Sequence, residues 1–368
     1  MTAGRLLTVA RKEFVDHVTS RRFVIILALF LAISAAGMHQ GIDMYEMSLQ
    51  SYNEQMQIIS EIEVHGDPGW MPEKPTVMYV FMYMAVYISA FGAVLAIAMG
   101  FDLVSKEKES RSLKSLLSHP VFRDEIINGK ALGGIAALGF AMGLSILVSL
   151  ALLLLFSIVP TIAELGSILL YGIVSTLFLI TFFALALMMS TVSKESGNAL
   201  IYTLIIFFAL TTLMPMVGSI AADTVAGEQP EPPSVARMEV VYTGSSSAEA
   251  EGKEIAAPVP IRMNEDEWER YQDEMQAYWE KRKVVTDLTN LISPQANYQT
   301  ISTAITNPRM AALMANPFTS VQSAPDADEA PGMLDALATV WMNLAALIVV
   351  PSVFFAAAYA AFMRMDIR

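Results

Sequence analysis

The chain has 368 residues, 54% of them hydrophobic and 16% charged, with a formal net charge of −13 and no cysteine. Soluble domains run at roughly 45–50% apolar and about 25% charged, so a soluble enzyme is disfavoured, and disorder has the opposite signature. The missing cysteines exclude disulfides, thiolate metal sites and cysteine nucleophiles, and the acidic balance argues against nucleic acid as a partner.

Residues 5–20 come first in chain order. Leu6, Leu7, Ala10, Phe14 and Val18 recur at helical spacing, with Arg5, Arg11, Lys12, Asp16 and Arg22 between and after them. This pattern predicts an amphipathic helix in the membrane interface that runs into the first span. A bilayer core needs about 20 apolar residues. Six apolar runs lack Asp, Glu, Lys and Arg: 23–42, 75–101, 131–163, 165–193, 196–222 and 336–363. They predict six transmembrane helices. A signal peptide over 23–37, ending on Ser34-Ala35-Ala36-Gly37, would leave five; against it stands a 22-residue leading segment carrying Glu13 and Asp16.

With the N-terminus cytoplasmic, the inner segments 1–22, 102–130, 194–195 and 364–368 hold 14 Lys/Arg, and the far longer outer segments hold 9. Inner residues then sum to +5 and outer ones to −18, the positive-inside pattern with both termini cytoplasmic in a plasma-membrane protein. The expected division is 1–22 as elbow helix, 23–222 as spans one to five, 223–335 as an extracytoplasmic domain and 336–368 as span six with its tail. Spans one and two are joined by an outer loop at 43–76, spans two and three by an inner loop at 102–130.

The segment 223–335 is long enough for a small domain of its own. Met238–Tyr242 is its one β-like run. Asn264, with Glu267 beyond it, opens a charged helix to about Ile292. Trp268, Tyr271, Met275, Tyr278 and Trp279 form a stripe on it that reads as a packing face. Pro294, Pro308 and Pro317 divide the next stretch of chain into short helices, and the uncharged but polar runs 288–308 and 310–325 read as lying outside the membrane.

None of the six runs carries a charge, which disfavours an ion-driven carrier. The four histidines are scattered and no HExxH motif occurs. Methionines 38, 44, 47, 56 and 71 cluster near the outer face; thioethers suit copper(I), but flexible apolar filling is the commoner reason for them. A phosphate-binding Walker loop is missing too: Gly129-Lys130 is followed by Ala131, and Asp124 stands where the first glycine belongs. No cofactor is therefore expected on this chain.

The inner loop reads FDLVSKEKESRSLKSLLSHPVFRDEIINGKALGG over 101–134. Glu107–Ser118 predicts a short helix with Leu113, Leu116 and Leu117 on one side, closed by Pro120, and has the form of a docking element rather than a plain linker. The segment resembles the first cytoplasmic loop of type-2 ATP-binding-cassette (ABC) transporter permeases, the NosY-like branch in particular. Glu109, Ser112-Leu113, Leu116-Leu117-Ser118, Pro120-Val121, Arg123, Ile126 and Gly129-Lys130 carry the likeness, with Arg111 and Phe122 departing from it. ARKEF at 10–14 is similar to that family's elbow helix. Residues 190–194 (STVSK) are similar to its loop between spans four and five, Arg364-Met365-Asp366 to its closing motif, and LISPQANY at 291–298 to a turn before its last span.

The resemblance implies a dimer of permease subunits in the bilayer, driven by a separate ATPase that alone binds ATP. Glu107, Glu109, Ser112, Leu113, Leu116, Leu117, Pro120, Arg123 and Lys130 would then form the ATPase-docking surface. A substrate path between spans two and five would pass Thr211, Thr212 and a kink at Pro215. The rival expectation is a non-transporting sensor or assembly factor whose 223–335 domain binds an extracytoplasmic partner.

Overall fold

The computed structural model describes residues 3–62, 72, 74–110, 122–233, 265–315 and 333–365, and every regular element among them is helical. Six helices are long and apolar enough to cross a membrane: Arg21–Ser60, Met78–Glu109, Arg123–Leu155, Ile162–Val192, Ser196–Ala226 and Trp341–Met363. Each contains most of one uncharged run, so the chain is an all-α polytopic membrane protein. It divides into two compact units, one of Met1–Met216 with Thr289–Arg368, the other of Val217–Leu288.

In the first unit, α1 (Ala3–Thr19) is the expected amphipathic helix. Ser20 separates it from α2 (Arg21–Ile62): its hydroxyl donates to the His17 carbonyl at 2.8 Å and accepts from the Phe23 N–H at 3.1 Å. The helix α2 outruns its apolar segment and continues through 43–62, part of the expected outer loop. That stretch contains no glycine or proline, so nothing in it stops a helix.

Span two consists of α3 (Met78–Tyr87), a π-turn over Ile88–Gly92 and α4 (Ala93–Gly100). A turn leads to α5 (Ser105–Glu109), and α6 (Arg123–Leu155) is span three. Span four is α7 (Ile162–Val192), with Thr161 and Glu164 closing a reciprocal cap at its start. The other carboxylate oxygen of Glu164 accepts the Val77 N–H at 3.0 Å, tying the start of span two to the same point. Packed against α4, α6 and its other neighbours, α7 forms the centre of the bundle and buries Tyr171, Phe178, Phe182 and Phe183.

Span five comprises α8 (Ser196–Phe208), a second π-turn over Ala209–Leu213 and α9 (Met214–Ala226). The charged helix expected from Asn264 is α10 (Glu265–Asn290). Within the second unit its aromatic stripe is half-buried, Arg282 lies 5.2 Å over the Trp279 ring, and Arg282 pairs with Asp223 at 2.8 Å. Met238–Tyr242 and Pro317 lie outside the described residues.

Back in the first unit, Pro294 and Pro308 open helices rather than merely ending them: α11 (Pro294–Thr306) and α12 (Pro308–Ala315). Proline suits the first helical turn because its missing N–H would have no partner there. The polar run 288–308, expected outside the membrane, contributes α11, which packs against α3, α7 and the last span. After α13 (Met333–Thr339), that last span is α14 (Trp341–Met363).

Candidate functional site

At the end of the bundle where α1 lies, α5 is held from three sides. Lys130, on the first turns of α6, is 3% exposed and bonds Glu107 at 2.7 Å and Glu13 of α1 at 3.3 Å. Two acids from two other helices thereby compensate one buried ammonium, without which its burial would be costly. On its other side α5 meets the junction between spans four and five. The Ser190 hydroxyl accepts the N–H groups of Val104 and Ser105, each at 3.0 Å. Lys108 donates to the carbonyls of Thr191 and Ser193, the latter at 3.0 Å, at the C-terminal end of α7, where a cation complements the helix dipole. Glu109 accepts from the Ser196 hydroxyl at 3.1 Å at the start of α8.

Two further contacts complete this end. Arg123 donates to the Met365 carbonyl at 3.0 Å beyond α14. Arg22 pairs with Asp102 at 2.6 Å and lies 4.7 Å over the Phe101 ring. The crossing of α1 over α6 depends on two small residues one turn apart. A Cβ at Gly129 would come within 2.4 Å of Val9, and one at Gly133 within 2.6 Å of the Glu13 Cβ and 3.0 Å of the Phe14 nitrogen.

Of the residues expected on a docking surface, Glu107, Glu109, Arg123 and Lys130 thus make intramolecular contacts at this end. Ser112, Leu113, Leu116, Leu117 and Pro120 lie outside the described residues. Deeper in the first unit, Thr211 and Thr212 sit in the π-turn of span five. There the Met214 N–H reaches back five residues to the Ala209 carbonyl, immediately before Pro215, which has no N–H to give. The expectation at Pro215 is a kink; what the structure has is this wider turn just before it, a feature frequent at functional sites. The Thr211 hydroxyl is engaged with the Phe207 carbonyl at 2.8 Å.

Both π-turns touch α11. Gln299 donates to Ser89 in the span-two turn at 3.1 Å. Tyr298 stacks on Phe178 with centroids 4.4 Å apart and shares a 3.0 Å hydrogen bond with Ser175, both on α7. Asn297 donates to the Leu291 carbonyl at 2.8 Å and accepts from Asn343 of α14 at 2.9 Å. These polar contacts, buried at Asn297 and Tyr298 and exposed at Gln299, can position helices; no group of three or more His, Asp or Glu able to hold a metal occurs among the described residues.

The family model described as ABC-2 family transporter protein matches residues 7–367. The chain belongs to the ABC-2 transporter family. No curated protein matches it at a significant level. As an ABC-2 family member it is a membrane permease component, and that family works with a partner ATPase. In this ABC-2 permease, the segments that carry the sequence resemblance converge: Glu13 of ARKEF on Lys130, Ser190 to Ser193 on α5, and Met365 on Arg123. Tyr298 and Gly129 are among the residues that carry the resemblance but had no role assigned, and Gln299 and Gly133 are not among them. Their signals were an aromatic in a polar run and two glycines at helical spacing.

Proposed function

We propose that this chain is the permease half of an ABC exporter, acting as a pair of identical subunits, with a separate ATPase seated on residues 107–118. The observation that carries the reading is the anchoring of α5. A load on the segment that continues from it passes through Glu107–Lys130 to α1 and α6, through Ser190 and Lys108 to α7, and through Glu109 to α8. The segment re-enters α6 at Arg123, which is tied to the end of α14. Pushing one short helix therefore displaces the ends of several spans together.

ATP stays on the partner subunit. Its two states bias the permease only in so far as they bind 107–118 differently. Leu113, Leu116 and Leu117 supply the apolar contact in this reading, and the basic character of the inner loops supports both termini lying on the ATPase side. Movement of the spans reaches the π-turns of spans two and five, where Thr211, Thr212 and Pro215 border the path. Span five supports pairing, because α8 buries only Ala199 and Thr203 and leaves Ile201, Ile205 and Phe208 exposed for a second copy to cover. Export rather than import rests on the resemblance of residues 101–134 to exporter permeases.

The test is purification of the tagged chain from its native membrane beside a Leu116→Asp, Leu117→Asp double variant. A Walker-loop ATPase that co-purifies stoichiometrically with the wild type and is lost from the folded variant is expected. A folded wild-type preparation with no ATPase would overturn the proposal and direct attention to partners of 223–335.

A further inference from the structure

A cavity of about 280 Å³ opens where α1, the start of α2 and the turn after α4 meet. That is the lower end of the range that small-molecule sites occupy, enough for a headgroup-sized ligand. Its walls are of two kinds. One is charged: Glu13, Asp16, Asp102 and Glu107 against Arg22, Lys106 and Lys130. The other is apolar: Phe23, Ile26, Met99 and Leu103.

Most of those charges already have partners, since Lys130 is held between Glu13 and Glu107, and Arg22 pairs with Asp102. Two groups of opposite sign are left over at the rim. Asp16 has only a 4.0 Å contact with exposed Lys12, and Lys106 makes no ion pair among the described residues. His17, also on the wall, has a buried Nε2 with no hydrogen-bond partner among the described residues. Such a nitrogen calls for a ligand or water atom.

An apolar crevice continues from the same side chains, Phe23, Ile26 and Met99, along Phe30, Leu95 and Leu138 toward the middle of the spans. At about 10 Å³ it has room for no more than one water-sized group and cannot take in an acyl chain. The cavity is at the spans' ends, where Arg21 and Arg22 begin α2, the level at which lipid headgroups reside.

We propose that this cavity holds the headgroup of an aminophospholipid, phosphatidylethanolamine in chemical class, from the leaflet on the N-terminal side. The primary ammonium donates to Asp16, the phosphate meets Lys106 and the His17 ring, and the glycerol and first tail carbons rest on Phe23, Ile26 and Met99. A choline headgroup has no N–H to give Asp16, and a purely anionic one leaves Asp16 uncompensated. A bound lipid would brace α1 against α2 and the span-two turn, independently of what docks on 107–118.

The test uses the full chain in detergent, stripped of lipid and offered equal amounts of palmitoyl-oleoyl phosphatidylethanolamine, -choline and -glycerol, with retained lipid read by native mass spectrometry. One phosphatidylethanolamine per chain is expected, favoured over phosphatidylcholine by about three- to fivefold, the effect of a partly exposed ion pair. Asp16→Asn removes that preference, whereas Lys106→Gln, whose phosphate contact all three lipids share, lowers retention of all three alike; both side chains are solvent-exposed, and an unchanged melting temperature verifies the fold. Equal retention of the three lipids by the wild type, a preference untouched in Asp16→Asn, or retention untouched in Lys106→Gln overturns the proposal. Soluble phosphoethanolamine is the second arm: a rise in melting temperature with it, with no lipid retained, overturns the lipid assignment in favour of a free phosphorylated amine.

Discussion

Replacing Lys130 by Met keeps the length of the side chain and removes the cation between Glu13 and Glu107. With an effective dielectric of about 20, the 2.7 Å contact with Glu107 is worth about 6 kcal/mol and the 3.3 Å contact with Glu13 about 5 kcal/mol. Desolvation of the three groups cancels much of this. Breaking a buried pair by removing one partner nonetheless costs about 3–5 kcal/mol, because the remaining charge is left uncompensated. Glu13 and Glu107 keep 15% and 26% exposure, so water screens part of the loss. A destabilisation of about 2–4 kcal/mol is the expected result. Denaturant-induced unfolding in detergent, followed by tryptophan fluorescence, measures it. Adding Glu107→Gln to Lys130→Met takes away one of the two carboxylates that lost the ammonium and should recover part of the loss. The reasoning fails if Lys130→Met unfolds within about 0.5 kcal/mol of the wild type, or if the double variant is less stable than the single one.

Gly133→Leu should separate α1 from α6 and cost about 1–3 kcal/mol or more, since a Cβ there already meets backbone atoms; Gly139→Leu, in open space, is the matched control and should be near neutral in the same unfolding assay. Tyr298→Phe keeps the ring on Phe178 but loses the buried hydrogen bond to Ser175, a loss of about 1 kcal/mol read from the melting temperature. Burial pushes the His17 pKa below its ordinary value of 6.5; Glu13 and Asp102 favour the proton while Lys130 and Arg22 oppose it. The unfolded chain therefore takes up a proton near 6.5 that the folded chain resists, so this contribution is present above 6.5 and is lost as pH falls below it. The unfolding midpoint, scanned from neutral to acidic pH, should fall less steeply in His17→Asn.

Lys130 also shows what a sequence leaves hidden. Along the chain, Gly129-Lys130 is the basic edge of a loop before a span. Its burial depends on Glu107, 23 positions away, and Glu13, 117 positions away, and no local pattern announces that pairing. The spans were legible because the bilayer imposes a one-dimensional rule, a run of uncharged residues of sufficient length, and α1 because its apolar residues recur at helical spacing. At Pro215 the missing N–H is a local signal, but the π-turn over Ala209–Leu213 that precedes it was not announced by the sequence.

The polar helix α11 shows how much packing that rule leaves undescribed. Hydropathy scores Asn297, Tyr298, Gln299 and their neighbours as groups that want water, and so places 288–308 outside the membrane. In the folded chain Asn297 is held by Leu291 and Asn343 and Tyr298 by Ser175, so partners within the protein replace the water at these two buried side chains, while exposed Gln299 reaches Ser89. A side chain whose hydrogen bonds are met internally no longer carries the penalty that hydropathy assigns to it. The same polarity gives α11 a reason to be there. Apolar packing between greasy helices is nearly degenerate in orientation, whereas Gln299 on Ser89 fixes the position of α11 against the span-two π-turn. With α11 also touching the span-five π-turn, one short polar helix sets the spacing of the two least regular points among the spans. Gln299→Leu should therefore leave the chain folded but loosen that registry, seen as a broadened distance distribution between spin labels placed on spans two and five of this cysteine-free chain; an unchanged distribution would show that packing alone holds the two turns.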